Sequence, residues 1–418
     1  MHQPTHHNTA LLPVRVSRVA FGAILVLLAS ASVGCGDSSG SAAGGSGGSR
    51  GELPTVPDNA FYLPPDPFPS AVPGTLIRSQ EVAPIADDSR TFAVLYVSES
   101  LAGEPVAVSG FVVVPDGSPP ADGFDVVSWG HGTKGIADSC APSRGFSGPT
   151  HDFFAIAPEL VEAGYIAVSS DYEGLGTPGI HPYLVGESQA RGSLDIVRAA
   201  SQLDIVDGID EVAVWGRSQG GQTALFASEI ASTWAPDLEV AGVIAAAPAC
   251  CLELLVGIGP TFEGSRGLVW MAAVGFAEAF DLDLDPVFSQ EANAAIERLL
   301  GQDVCYEDWV EAARPFENAG FAIDVVGDDA WSEVLRQNSP GQTRTDVPVL
   351  LLQGSEDTTT PQLTSDILSS DLCRLGTRLD YRVFEGFSHN DSTALNMPLM
   401  LEWTAERFSG EEAGSTCP

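Results

Sequence analysis

Short apolar runs separated by amphipathic segments of helical length recur along most of this chain, and that alternation limits the folds open to it more than any other property. Runs at 125–129, 165–170, 212–215, 240–247, 349–352 and 379–384 have the length and composition of strands. Between most of them lie helical patterns, as at 152–163, 188–203 and 361–372. Strands that alternate with helices pair in parallel, because each connection must cross a face of the sheet. Two earlier runs, 93–97 and 105–114, follow each other closely and are expected as an antiparallel pair. The fold class is therefore α/β, a mostly parallel central sheet with helices on both faces. One long gap, 251–346, breaks the rhythm with helical patterns around 268–280, 290–300 and 308–314, and is expected to be an inserted helical cap.

The chain before residue 53 has a different character. Arg15 and Arg18 precede an apolar run, 19–28, that is too short to span a bilayer comfortably and ends in small residues. Residues 1–35 are expected to be an export signal. Cys35 directly follows Ser32-Val33-Gly34, a run resembling a bacterial lipobox, which would make Cys35 a lipidated N-terminus and place the protein in the cell envelope; a simple secretory signal is the alternative. Residues 36–52, nearly all Gly, Ser and Ala, bury nothing and are expected to be a flexible linker to a domain spanning 53–418. Residues 53–73 are rich in proline and are expected to lie extended over that domain.

Charge and cysteine usage narrow the partners. The formal net charge is −37 and Lys134 is the only lysine. A surface this acidic repels nucleic acid and anionic lipid heads, so contact with a membrane is expected only through a lipid anchor. Six cysteines besides Cys35 suit disulfides in an exported chain, and no C-x-x-C pair or histidine pair with ligand spacing points to a metal.

In open α/β sheets chemistry gathers beyond the C-terminal ends of the strands. After the run at 212–215 comes Gly216-Arg217-Ser218-Gln219-Gly220, and helix formers follow at once. A G-x-S-x-G between strand and helix is the context of a nucleophile elbow, with Ser218 as the nucleophile. Three other matches, beginning at Gly36, Gly44 and Gly47, lack such flanks. After 125–129 stands Gly130-His131-Gly132-Thr133, where the Thr133 N–H, with the Gln219 N–H, is a candidate donor to an oxyanion. The loop after 349–352 offers Asp357, with Glu356 as competitor, and the loop after 379–384 offers His389. The chain order Ser218, Asp357, His389 is that of the α/β-hydrolases. The loop Asp171-Tyr172-Glu173 through His181-Pro182-Tyr183 also borders this end of the sheet and is expected to shape its rim. Asp281, Asp283 and Asp285 alternate as in a calcium loop, but Pro286 and Ala292 stand where glycine and glutamate are needed.

Together the motifs at 129–133, 140–143, 171–183 and 216–221, with the Asp357 and His389 loops, resemble the secretory lipase family of α/β-hydrolases, over roughly residues 60–405. The resemblance implies an α/β-hydrolase fold and hydrolysis of carboxylic esters, often lipidic, beneath a helical cap and without a cofactor. It also implies disulfides joining Cys140 to Cys305 and Cys373 to Cys417, which leaves the adjacent Cys250 and Cys251 over. Arg217 departs from the aromatic residue or histidine frequent at its place. Peptidases, polyester depolymerases, short-chain esterases and a non-catalytic surface module remain open on the same fold.

Overall fold

Side chains that alternate in direction along a strand can be buried on both sides of a sheet only if helices cover both faces. The computed structural model describes residues 56–145, 152–391 and 396–418. Among these residues nine strands form one sheet in the order β1-β2-β3-β5-β4-β6-β7-β8-β9. Strands β1 (Leu76–Val82), β2 (Ser89–Glu99) and β3 (Pro105–Pro115) are antiparallel neighbours, and β3 pairs antiparallel with β5 (Ile166–Ser170). The rest run parallel: β4 (Phe124–Gly130), β6 (Ile209–Arg217), β7 (Glu239–Ala246), β8 (Val349–Gly354) and β9 (Leu379–Phe384).

One face, carrying Val126, Val212, Val214 and Leu351, packs against α2 (Gly186–Ala200), α3 (Gln219–Trp234) and α9 (Gln362–Leu375). The other, with Trp129, Trp215 and Leu350, packs against α1 (Asp152–Glu162) and α10 (Met397–Phe408). Each fully buried aliphatic side chain contributes roughly 1.5–3 kcal/mol. That burial fixes the register of the strands whose ends carry the site.

Between β7 and β8 lie five helices: α4 (Leu252–Ile258), α5 (Arg266–Phe280), α6 (Gln290–Leu300), α7 (Tyr306–Ala313) and α8 (Asp329–Gln337). They surround an apolar core of their own, built on Trp270, Phe276, Trp309 and Trp331. Gly267 lets α5 and α7 touch, since a Cβ there would lie 2.6 Å from the Val310 nitrogen. Disulfides join Cys140, after β4, to Cys305 at the start of α7, and Cys373 in α9 to Cys417 near the C-terminus; Cys250 and Cys251 are free.

Several elements were not expected from the sequence. Strand β1 reads Leu-Ile-Arg-Ser-Gln-Glu-Val and is largely solvent-facing, so it carries no apolar run. The proline-rich lead-in is not wholly extended: Asn59–Tyr62 form a 3₁₀ turn, and Tyr62 donates to the Ser143 carbonyl at 2.6 Å. Helices α4, α8 and α10 are also additional. The export signal, the linker and Cys35 lie outside the described residues.

Candidate active site

The turn after β6 is sterically forced. Ser218 has φ 58° and ψ −118°, a strained conformation for a residue with a side chain, of the kind that clusters at functional sites. Its neighbours leave no room for larger residues: a Cβ on Gly216 would lie 2.0 Å from the Gly220 carbonyl oxygen, and one on Gly220 would lie 1.8 Å from that of Gly130. The same contacts press the start of α3 against the Gly130–Thr133 loop. Ser218 is anchored through its backbone, its N–H donating to the Ala246 carbonyl at 2.9 Å and its carbonyl accepting from Ala249 N–H at 3.0 Å.

Asp357 follows β8 and is gripped from several sides. Its Oδ1 accepts the backbone N–H groups of Thr359 at 2.8 Å and Thr360 at 2.9 Å, and its Oδ2 accepts from Thr360 Oγ1 at 3.0 Å and Gln353 Nε2 at 3.2 Å. The remaining partner is His389 Nδ1, at 2.7 Å from Oδ2. Burial alone would raise the carboxyl's pKa; the bond and charge of His389, with the two amides, outweigh it and hold the group below its ordinary value. Glu356, its neighbour, is exposed. A carboxylate accepting from Nδ1 leaves Nε2 as the imidazole's basic nitrogen.

Thr360 links this pair to the elbow. Its hydroxyl lies 3.2 Å from His389 Nδ1 and 3.1 Å from the Ala247 carbonyl oxygen, and the residue lines a cavity together with Ser218. The hydrogen bond to Asp357 is at Nδ1, so the Nε2 side of the ring is the one left for a nucleophile's proton. The cavity is narrow, about 60 Å³, and its other walls are mostly apolar, including Leu252, Leu255, Val256, Leu268, Val269 and Ala272 from the segment between β7 and β8.

The two candidate oxyanion donors stand in the loop after β4 and at the first residue of α3, next to Ser218 in the chain. Among the described residues neither the Thr133 N–H nor the Gln219 N–H has a hydrogen-bond acceptor, as unspent donors at a loop and a helix N-terminus should. Arg217 is buried and reaches Asn390 Oδ1, next to His389, at 3.4 Å, so its cation lies between the elbow and the histidine loop.

Asp171, His181 and, in the neighbouring loop, His131 are buried in hydrogen-bonded contacts. Asp171 accepts from Ser109 Oγ at 2.6 Å and from Ser143 N at 3.0 Å and Oγ, while burial pushes its pKa up to about 6. Burial lowers His131 to about 3, helped by Lys134, and lowers His181 to about 4, so both imidazoles are neutral near pH 7. Among the described residues no group of three His, Cys, Asp or Glu side chains is placed to hold a metal ion.

A serine on a strained strand-to-helix turn, with an acid after β8 paired to a histidine after β9, defines an α/β-hydrolase. The family model described as Secretory lipase matches residues 149–416, and the chain belongs to that family of carboxylic ester hydrolases. It is similar to Lipase 10 of Candida albicans, with 25% identity over 86% of this chain and 82% of that one. A protein of Mycobacterium tuberculosis described as a "Probable inactive lipase" is also 25% identical, over 86% and 84% of the two chains. Among solved structures, Candida antarctica lipase A shares the fold at a TM-score of 0.76 and 17% identity, over 87% of this chain and 89% of that one.

Proposed function

We propose that this protein is an exported serine hydrolase that cleaves lipidic carboxylic esters through Ser218, His389 and Asp357. Serine is a weak nucleophile unaided, so His389 Nε2 takes the Ser218 proton as Oγ attacks the ester carbonyl. Asp357 holds the imidazole by Nδ1 and stabilises its charged form. The tetrahedral oxyanion receives hydrogen bonds from the Thr133 and Gln219 N–H groups. Collapse expels the alcohol, protonated by His389, and leaves an acyl-enzyme on Ser218 that water then hydrolyses. The observation that carries this reading is Thr360, whose hydroxyl touches the Asp357–His389 pair while its side chain shares one cavity with Ser218. The positions of Ser218, Asp357 and His389 after β6, β8 and β9 support an active enzyme.

Apolar walls over Ser218 favour acyl chains, each buried methylene contributing up to about 0.8 kcal/mol. The small volume favours a second reading, a short-chain esterase, since ligand pockets usually run to roughly 300–1,000 Å³. Rates over esters of increasing acyl length separate the two. On the lipase reading kcat/KM climbs several-fold per two carbons as the cap gives way, whereas a maximum at acetate with collapse by octanoate selects the short-chain enzyme. Export and envelope anchoring rest on the sequence around Cys35. Lipid at the mature N-terminus, seen by mass spectrometry, is the expected result, and a lipid-free terminus elsewhere contradicts it.

A further inference from the structure

One tripeptide touches the side chains of both candidate donor residues, Thr133 and Gln219. His181, Pro182 and Tyr183 close the loop that begins at Asp171, and the turn is tight, with Tyr183 N–H donating to the His181 carbonyl at 2.7 Å. His181 Nδ1 lies 2.7 Å from the Glu173 carbonyl oxygen and must donate to it, which makes Nε2 an acceptor. Gln219 Nε2 meets that acceptor at 2.9 Å and gives its other proton to Gln189 Oε1. Gln219 Oε1 is buried and has no partner among the described residues, so its carboxamide is oriented entirely through its nitrogen. Two residues on, the Tyr183 hydroxyl lies 2.7 Å from Thr133 Oγ1.

Stacking stiffens the arrangement. The His181 ring lies parallel to that of Tyr172 with centroids 5.8 Å apart, and Tyr172 in turn meets the His131 ring at 4.3 Å and donates to the His131 carbonyl at 3.1 Å. The tripeptide also bears on the cap: a Cβ on Gly275 in α5 would lie 2.5 Å from Tyr183 N. The backbone of α5 therefore rests directly on the residue that holds Thr133.

We infer that His181 and Tyr183 are positioning residues for the oxyanion hole, each fixing one of its two donors, and that α5 is coupled to both donors through the Tyr183 backbone. The inference rests on the assignment of Thr133 and Gln219 N–H groups as those donors. Neither His181 nor Tyr183 transfers a proton; they restrict the peptide groups that must already point at the oxyanion when it forms.

Three variants test it: Tyr183→Phe, which deletes only the hydroxyl; His181→Phe, which deletes the acceptor; and His181→Gln, which restores an acceptor oxygen. Removing an oxyanion donor outright costs about 10²–10³ in kcat, and loosening one is expected to cost about tenfold. Tyr183→Phe and His181→Phe should lower kcat with KM unchanged, and weaken binding of a boronic acid that forms a tetrahedral adduct by the same factor. His181→Gln should recover most of the loss, and thermal unfolding of each variant identifies any that fails to fold. Tyr183→Phe within twofold of wild type in both kcat and boronate affinity overturns the inference, as does a loss confined to KM. A wild-type protein without Ser218-dependent ester hydrolysis overturns the proposed function instead, so the two failures are distinguishable.

Discussion

The floor and the roof of the cavity are built on opposite principles. Below, the polar residues of the proposed reaction are held by directional contacts: Ser218 by a strained turn, Asp357 by hydrogen bonds from the Thr359 and Thr360 amides, Thr360, Gln353 and His389, and Gln219 by His181 and Gln189. Above, α4 and α5 present Leu252, Leu255, Val256, Leu268, Val269 and Ala272, which meet the cavity through dispersion and burial alone. Directional contacts specify an atom's position to tenths of an ångström, whereas apolar packing specifies volume and tolerates rearrangement. The contrast assigns rate to the floor and substrate range to the roof.

Asp357→Asn probes the floor most severely. The amide can offer its N–H₂ to Nδ1 and favour the wrong imidazole tautomer, so kcat is expected to fall on the order of 10⁴-fold with the fold intact. A fall under tenfold, measured on a variant with wild-type thermal stability, would release Asp357 from its assigned role. Ala272→Trp probes the roof. Filling the cavity should shift the preferred acyl length down by several carbons and leave kcat on the shortest ester within a few-fold of wild type. An equal loss on all chain lengths would erase the division between floor and roof.

Legibility in the sequence divides along the same line. The elbow could be read because Gly216 and Gly220 meet backbone on both sides, which no other residue type permits. Asp357 and His389 were legible from chain order and strand ends. The three threonines and then Pro361 that follow Asp357 place it at the loop tip before the next helix, and it is Asp357 that meets His389. The buried amides Gln189 and Gln222, by contrast, sit in helices where glutamine is an ordinary helix former, and nothing local announces a network. Helix α10 does leave a trace in the sequence, since Met400, Trp403, Thr404 and Arg407 recur at helical spacing and are all buried. Strand β1 left none, because an edge strand facing solvent has no apolar run to detect. The roof is legible only as helices; which side chains face Ser218 depends on how α4 and α5 pack.

A smaller effect tests whether His181 belongs to the floor as a neutral group. Burial lowers its pKa to about 4 against 6.5 when exposed, so between these values the unfolded chain binds a proton that the native one does not. Its contribution to stability is complete above pH 6.5 and is lost as pH falls toward 4. His181→Gln lacks this dependence, and buried acids such as Asp171 and Glu229, whose raised pKa values work in the opposite sense, are common to both proteins. Wild type should therefore lose stability relative to His181→Gln between pH 6.5 and 4 in paired denaturant titrations. A pH-independent difference would mean that His181 is protonated in place.

The central claim is that Ser218 carries the acyl group, and it is tested most directly by a serine-directed fluorophosphonate followed by peptide mass spectrometry. The account predicts a single phosphonyl adduct on the peptide containing Ser218, formed in step with loss of ester hydrolysis and absent from Ser218→Ala. Unlabelled Ser218 in a protein that still hydrolyses esters, or an adduct and full activity retained in Ser218→Ala, would contradict it.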